Sequence, residues 1–410
     1  QIIDFGDSPI FSEATTYTNI LLFAKAPQQT PPESWDLSSA YRKATSLEQM
    51  LQQHTPGVAL LDDDGFVIVP PQFAAIKQRI EQIGTPLKER EITINRGIVT
   101  GFNEAFIIDG QKKDELIAQD PKSAEIIKPL LRGRDIKRYR ADFADLWVIG
   151  MFPALNLNID DFPAIRGYLQ SFGRKLHQTG DIIDRDEQGN PIKSRKRTGN
   201  QWFETQDQIA YYKEFAKEKI IYAEIVYDSA FFFDTNGFYP EATAFILTGH
   251  NIKYLTAHLN SRLLTFIFKQ FYAGGDLRGN TFRYKKVFLE NLPVALPTEG
   301  YLSPLETLVD YIQMGKQFST KLQTAYFEQL IDGLVFELYF AQEISAVHKE
   351  IQPYLGELRP LNDGMSDEEK LAVIQAEFER LYDPRHPVRN HLETLDSVEE
   401  VRIIREALRS

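Results

Sequence analysis

LLRGRDIKRYR sets Arg132, Arg134, Lys137, Arg138 and Arg140 around Tyr139, and a run of that kind is suited to neutralising phosphate. Two other segments share the character. IKSRKRTGNQW carries Lys193, Arg195, Lys196 and Arg197 ahead of a glycine, and YAGGDLRGNTFRYKK carries Arg278, Asn280, Arg283, Lys285 and Lys286 among three glycines. Lys and Arg neutralise backbone phosphates, whereas Arg and Asn can also read base edges through paired hydrogen bonds. Glycines let a loop come close to a duplex. Any one of these segments alone reads as a solvated basic face. Three of them inside one strand-rich region point to DNA, with Arg132, Arg134, Arg195, Arg197, Arg278 and Arg283 expected to line one face.

Other chemistries find little support. The seven histidines (His54, His177, His250, His258, His348, His386 and His391) show no i, i+4 pair and no HExxH. GxSxG and GxxxxGK[ST] are both missing. The acid-x-Lys pairs Asp120–Lys122 and Asp135–Lys137 have the spacing of a metal-dependent nuclease but lack a strand-borne acidic partner upstream. Asp62, Asp63 and Asp64 read as a solvated turn rather than a cation site. No metal site is therefore expected, and no catalytic or cofactor-binding residue is assigned within the chain. Zero cysteines exclude disulfides and thiolate ligands and suit the reducing cytoplasm.

The net charge of −12 over 410 residues at first argues against a polyanionic partner, but its distribution does not. Residues 261–289 hold six Lys/Arg against one acid, whereas residues 301–410 hold 11 Lys/Arg against 20 Asp/Glu. The acidity sits in the tail and the middle is locally basic. No apolar run approaches the length of a membrane-spanning helix, so no membrane partner is expected.

The elements that must position these side chains are mixed. QIIDFG and YTNILLFA read as two strands at the start, expected to belong to a sheet whose remainder lies outside the chain. Residues 26–90 read as a connecting region with a helix over PPQFAAIKQRIEQIG. From 91 to 298, EITINRGIVT, EAFIID, LWVIG, KIIYAEI, SAFFFD and ATAFILT are short β segments between turn residues. NIKYLTAHLNSRLLTFIFKQFY follows as a helical pair broken near Asn260–Ser261. Residues 299–410 are helical, with a capping box from Ser366 to Glu369. The fold class is α+β: a strand-rich mixed domain followed by a helical C-terminal extension. The helices of 301–355 are expected to pack on that domain or its neighbour and to stay off DNA, since their acidic balance repels phosphate.

Gly97–Asp109, Ile126–Tyr139, Gln201–Ile225, the strand-to-helix stretch ATAFILTGHNIKYLTAHLNSRLLTFIFKQ and FRYKKVFLENLPV together resemble the TaqI-like C-terminal specificity domain. That domain follows the catalytic domain in type IIG restriction-modification enzymes and related adenine-specific DNA methyltransferases. Residues 1–25 resemble the last strands of the methyltransferase sheet in the same proteins, and FEQLIDGLVFELYFAQEI resembles their helical tail. The resemblance spans about 1–25 and 91–345; the acidic stretch beyond it has no parallel. It implies a role in sequence-specific recognition of double-stranded DNA, beside a methyltransferase domain that uses S-adenosylmethionine to methylate a flipped adenine. The family's Asn-Pro-Pro-aromatic motif and its Gly-rich cofactor loop do not occur in the chain. They are expected upstream of Gln1, so the chain alone is expected neither to methylate nor to cleave. The competing reading is a protein-interaction scaffold of a phage-defence complex, with the helical tail as its docking element.

Overall fold

The computed structural model describes residues 1–6, 8, 10, 18–25, 33–38, 41, 46–62, 65–273 and 281–409. The acidic turn at Asp63–Asp64 and the candidates Arg278 and Asn280 lie outside the described residues.

The chain is an α+β protein with its elements arranged in layers. At the centre is a four-stranded antiparallel sheet in the order Phe231–Asp234, Lys219–Ala223, Ala244–Gly249, Ile92–Arg96. Side chains alternate across a strand, so the three strands Phe231–Asp234, Lys219–Ala223 and Ala244–Gly249 each supply two cores. Ile220, Tyr222, Phe231, Phe233 and Leu247 point into a large core built with the helices. Ile221, Phe232 and Ile246 point the other way, against Leu130 and Val148 of a second sheet. Burial on both faces explains why KIIYA and FFF are unbroken apolar runs rather than alternating ones.

The second sheet runs Tyr239–Pro240, Ile127–Leu131, Leu146–Ile149, Ile107–Asp109. Its far face buries Ile108, Ile127 and Ile149 against the helices Gly110–Gln119 and Pro163–Gln170, through Leu116, Ile165 and Leu169. Only the second half of the expected strand EAFIID is extended: Asn103–Phe106 is a helical turn, entered from a hydroxyl bond of Thr100 to the Asn103 side chain.

Residues 1–69 form a sheet of their own, in the order Asn19–Leu21, Ile2–Asp4, Glu33–Asp36, Gly57–Asp62, Gly65–Val69. The two opening strands thus pair with each other, and Ile2–Asp4 also pairs with Glu33–Asp36 from the connecting stretch, over a small core of Ile3, Phe5, Leu37 and Met50. The helix Pro71–Ile83 starts on proline, buries Ile76 and Ile80 one turn apart, and joins the large core. Gly84–Pro86 then pairs with Pro293–Ala295, so the start and end of the central region are stitched together.

The helical pair resolves into Ile252–Asn260 and Arg262–Ile267, with the Ser261 hydroxyl capping the second at the Leu264 amide. Leu302–Gln317 and Lys321–Tyr339 pack on each other, and the former lies against Ile252–Asn260. The Ser366–Glu369 capping box forms as its sequence implies. No helix among the described residues is long and apolar enough to cross a membrane.

A charged seam joins the helical region to the sheets. Arg138 Nε donates to Glu328 Oε2 at 2.6 Å, and Lys316 bridges Glu328 at 2.7 Å and the Arg138 carbonyl at 3.0 Å. Arg138, expected from sequence on a DNA face, thus has its guanidinium paired with Glu328 in the seam. Its neighbour Tyr139 is buried in a left-handed conformation at φ 60°. Asp332, also in the seam, accepts the Arg262 amide at 2.7 Å. Burial pushes its carboxyl up to about 6, against the pull of Arg138. A carboxyl raised above its unfolded value binds a proton more tightly when folded. This group's contribution is therefore fully present below about pH 4 and is lost as pH rises through about 6. Asp332→Asn is expected to flatten the pH dependence of stability in that window. Urea midpoints measured at intervals from pH 4 to pH 7 check it; an unchanged profile in the variant would refute the assignment.

Candidate nucleic-acid interface

The three basic segments meet along one path of short contacts. Where Ile127–Leu131 ends, Arg132 folds back on Asp135, with Nε and Nη2 at 2.9 and 2.8 Å from the two carboxylate oxygens. Burial opposes ionisation of Asp135, but the hydrogen bonds from Arg132 outweigh it and hold the carboxyl below its ordinary range. That fixes the turn and leaves Arg134 exposed beside it, with Lys137 exposed and bonded to the Arg134 carbonyl at 2.7 Å.

Gly133 lies on Thr243, where an added Cβ would sit 3.0 Å from the Thr243 carbonyl oxygen. Thr243 in turn accepts the Glu224 amide at 3.1 Å, and the Glu224 carbonyl accepts the Tyr284 amide at 2.8 Å. The next pair on that two-stranded ribbon is Ile225 opposite Arg283. The segments around residues 133 and 283 thus share one end of the central sheet. Arg283 is half-buried, its Nε without a hydrogen-bond partner among the described residues. Around it stand the exposed Lys286, the half-exposed Lys285, and three apolar or aromatic side chains in the open: Ile225, Val287 and Tyr227, the last 74% exposed.

In the other direction the Leu131 carbonyl accepts the Glu241 amide at 2.8 Å, and Glu241 Oε1 accepts Asn103 Nδ2 at 3.0 Å. Gly97 permits this approach, because a Cβ there would lie 2.2 Å from the Glu241 carbonyl oxygen. The Asn103 turn leads to Arg195, the hub of the third segment. Arg195 Nε donates to the Leu176 carbonyl at 2.7 Å, Nη1 to Thr100 at 3.1 Å and Glu204 at 2.7 Å, and Nη2 to Trp202 at 2.6 Å. It is 5% exposed and lies over the Phe106 ring. Desolvation lowers its pKa to about 10 even with Glu204 nearby. The expectation that Arg195 faces a duplex is corrected: its donors are spent on main-chain carbonyls and it organises the loop. Lys193, Lys196 and Arg197 around it are exposed, Arg197 with one bond to the Thr179 carbonyl at 3.0 Å.

Tyr227 and Lys175 were not singled out from sequence. Tyr227 follows a strand as apolar as its neighbours, and Lys175 stands in SFGRKLH, where a cation pair after a Phe-Gly step was the available signal. Among the described residues no cluster of three or more His, Asp or Glu could hold a metal ion.

Residues 128–294 match the family model of the TaqI-like C-terminal specificity domain. This stretch holds the basic segments around 133, 195 and 283. Among solved structures, the chain resembles the type IIL restriction-modification enzyme MmeI in complex with DNA, at 11% identity and a TM-score of 0.43, over 72% of this chain and 36% of that one. It also resembles the type IIG restriction endonuclease BpuSI, at 13% identity and a TM-score of 0.40, over 66% of this chain and 33% of that one. The chain thus spans about a third of the length of either, and likeness at this level decides nothing further. No curated protein matches.

Proposed function

We propose that this chain recognises a DNA sequence for a restriction-modification enzyme that methylates adenine, and that it does so as the recognition lobe. The observation that carries the reading is the coincidence of the specificity-domain match with one connected path of basic residues. Phosphate contacts position such a lobe, and a few base-edge contacts specify the site. Arg134, Lys137, Lys196 and Arg197 are exposed and suited to phosphate. Arg283, with Tyr227 and Ile225 beside it, offers the mixture of guanidinium and apolar surface that base-edge reading uses. A protein acting on cellular DNA works in the cytoplasm, which its lack of cysteine suits.

Methyl transfer belongs in this reading to a methyltransferase domain carrying S-adenosylmethionine. The residues here do not fit that cofactor. The cleft between Phe102, Phe172 and Arg195 is lined by three lysines, and S-adenosylmethionine is itself a sulfonium cation. No transfer step is assigned to this chain.

The test is fluorescence anisotropy at low salt, first against a random duplex pool to select a preferred site, then against that site and an unrelated duplex. Arg134→Ala is expected to weaken both alike and to reduce the salt slope by about one. Arg283→Ala is expected to cost about 1–3 kcal/mol on the selected site and to relax preference at one position. If a variant lacking both arginines and Tyr227 kept the affinity, slope and preference of the parent, this face would be wrong.

A further inference from the structure

Beside Arg195 the same path opens into a cleft of about 870 Å³, within the size range of small-ligand sites, roughly 300–1,000 Å³. Three segments form its walls: the Gly101–Glu104 turn, the Ser171–Lys175 stretch after the helix Pro163–Gln170, and residues 192–196 at the end of a β-hairpin. Its lining is of three kinds. Phe102 and Phe172 supply aromatic surface, with ring centroids 5.7 Å apart in an edge-to-face pair. Lys175, Lys193 and Lys196 are exposed cations, and none has a hydrogen bond or ion pair among the described residues. Glu104 is the single acid.

Among the described residues none of these three lysines is ion-paired, and the cleft holds three of them against one carboxylate, Glu104. Three like charges around one concavity repel each other unless an anion joins them. Aromatic faces next to such a cationic wall are what a nucleotide requires, a ring surface for the base and cations for the phosphate. A carboxylate at the rim adds an acceptor for an exocyclic amine. A fully paired duplex hides its base faces, so the ligand must present a free one.

We propose that this cleft binds a nucleotide whose base is out of the stack, with the base on Phe102 and Phe172 and the phosphate on Lys175, Lys193 and Lys196. Two sources share this chemistry: an unpaired nucleotide in a DNA strand, and a free mononucleotide. Continuity with the Leu131–Glu241–Asn103 path favours the strand, and that choice rests on the DNA-recognition reading.

The test compares anisotropy of the purified chain with a fully paired 20-mer duplex, the same duplex carrying one unpaired adenosine, and fluorescently labelled AMP. The bulged duplex is expected to bind about 10-fold tighter than the paired one. The variant K175A/K193A/K196A, altered only at exposed side chains, is expected to erase that difference. Phe172→Leu, which keeps an apolar side chain, is expected to erase it with an unchanged melting temperature. Saturable AMP binding lost in both variants, without a bulge preference, supports the cleft and names the free nucleotide as its ligand. Absence of both a bulge preference and AMP binding overturns the proposal. If the paired duplex still binds in that case, the DNA-recognition reading stands without the cleft; if no duplex binds, both fall.

Discussion

Replacing Arg195 with alanine is expected to lower the unfolding free energy by about 3 kcal/mol or more while leaving the salt slope of duplex binding unchanged. The reason lies in what its guanidinium holds. It bonds four carbonyls, those of Leu176, Thr100, Glu204 and Trp202, on segments up to 95 residues away in sequence. A buried acceptor left without its donor costs about 1–3 kcal/mol, and hydrogen bonds to charged groups stand at the upper end of the range. Alanine removes all four donors at once, and partial collapse of the loop recovers some of the loss. Arg195→Lys is expected to fall between, because three donors on a flexible stem cannot reproduce a planar fork of five. Urea denaturation measures the first quantity, and binding at several salt concentrations the second. A true phosphate contact would show the opposite pattern, an intact midpoint with a slope reduced by about one. That pattern for Arg195→Ala would return Arg195 to the DNA face.

The same residue shows where the sequence stopped being legible. Lys193, Arg195, Lys196 and Arg197 are four cations within five positions, and nothing local separates them. The difference is made by carbonyls of residues 100, 176, 202 and 204, which lie far apart in sequence and converge only in the folded chain. Arg138 is a parallel case, since its partner Glu328 lies 190 residues downstream. Neighbouring residues in a basic run can therefore have opposite fates, one taken into the interior and the next left for a ligand.

Periodicity and end signals were more informative. The apolar runs KIIYA, FFFD and AFILT became strands of one sheet, and Ser261 and Ser366 became caps where their types called for them. What the runs could not reveal was which sheet they joined. The opening strands read as lacking partners within the chain, whereas Ile2–Asp4 pairs with Glu33–Asp36, which in turn pairs with the Gly57–Asp62 strand. The strand Ile127–Leu131 was hidden by Pro129, which sits on the Trp147 register of an antiparallel pair. Proline weakens a local strand signal, and here burial of Ile127, Leu130 and Leu131 overrides it. The cleft had no local signature, because its walls come from three separate segments.

Lys219→Met alone is expected to destabilise the chain by about 3–5 kcal/mol, and adding Asp234→Asn is expected to recover a substantial part of that loss. Both side chains are fully buried, on paired positions of adjacent strands. Lys219 Nζ donates to Asp234 Oδ2 at 2.6 Å, to the Phe215 carbonyl at 2.6 Å and to the Lys217 carbonyl at 3.4 Å. Asp234 also accepts the Asn236 and Phe238 amides, both at 2.9 Å, which shapes the turn leading to Tyr239–Pro240. Desolvation lowers the Lys219 pKa even though Asp234 opposes it, as expected for a charge held inside only by its partner. Methionine at 219 strands a buried carboxylate, whereas the double variant keeps an acceptor oxygen for the turn and has no charge to desolvate. Urea denaturation of the parent, both singles and the double measures the coupling. If the double lost as much as the two singles combined, the two side chains would be energetically independent and the argument would fail. Lys219–Ala223 leads directly into Glu224 and the Ile225–Arg283 pair, so this ion pair anchors the strand that carries the proposed reading face. Lys219→Met should therefore lower the fraction of chain competent to bind DNA, with the salt slope of the remaining fraction unaltered.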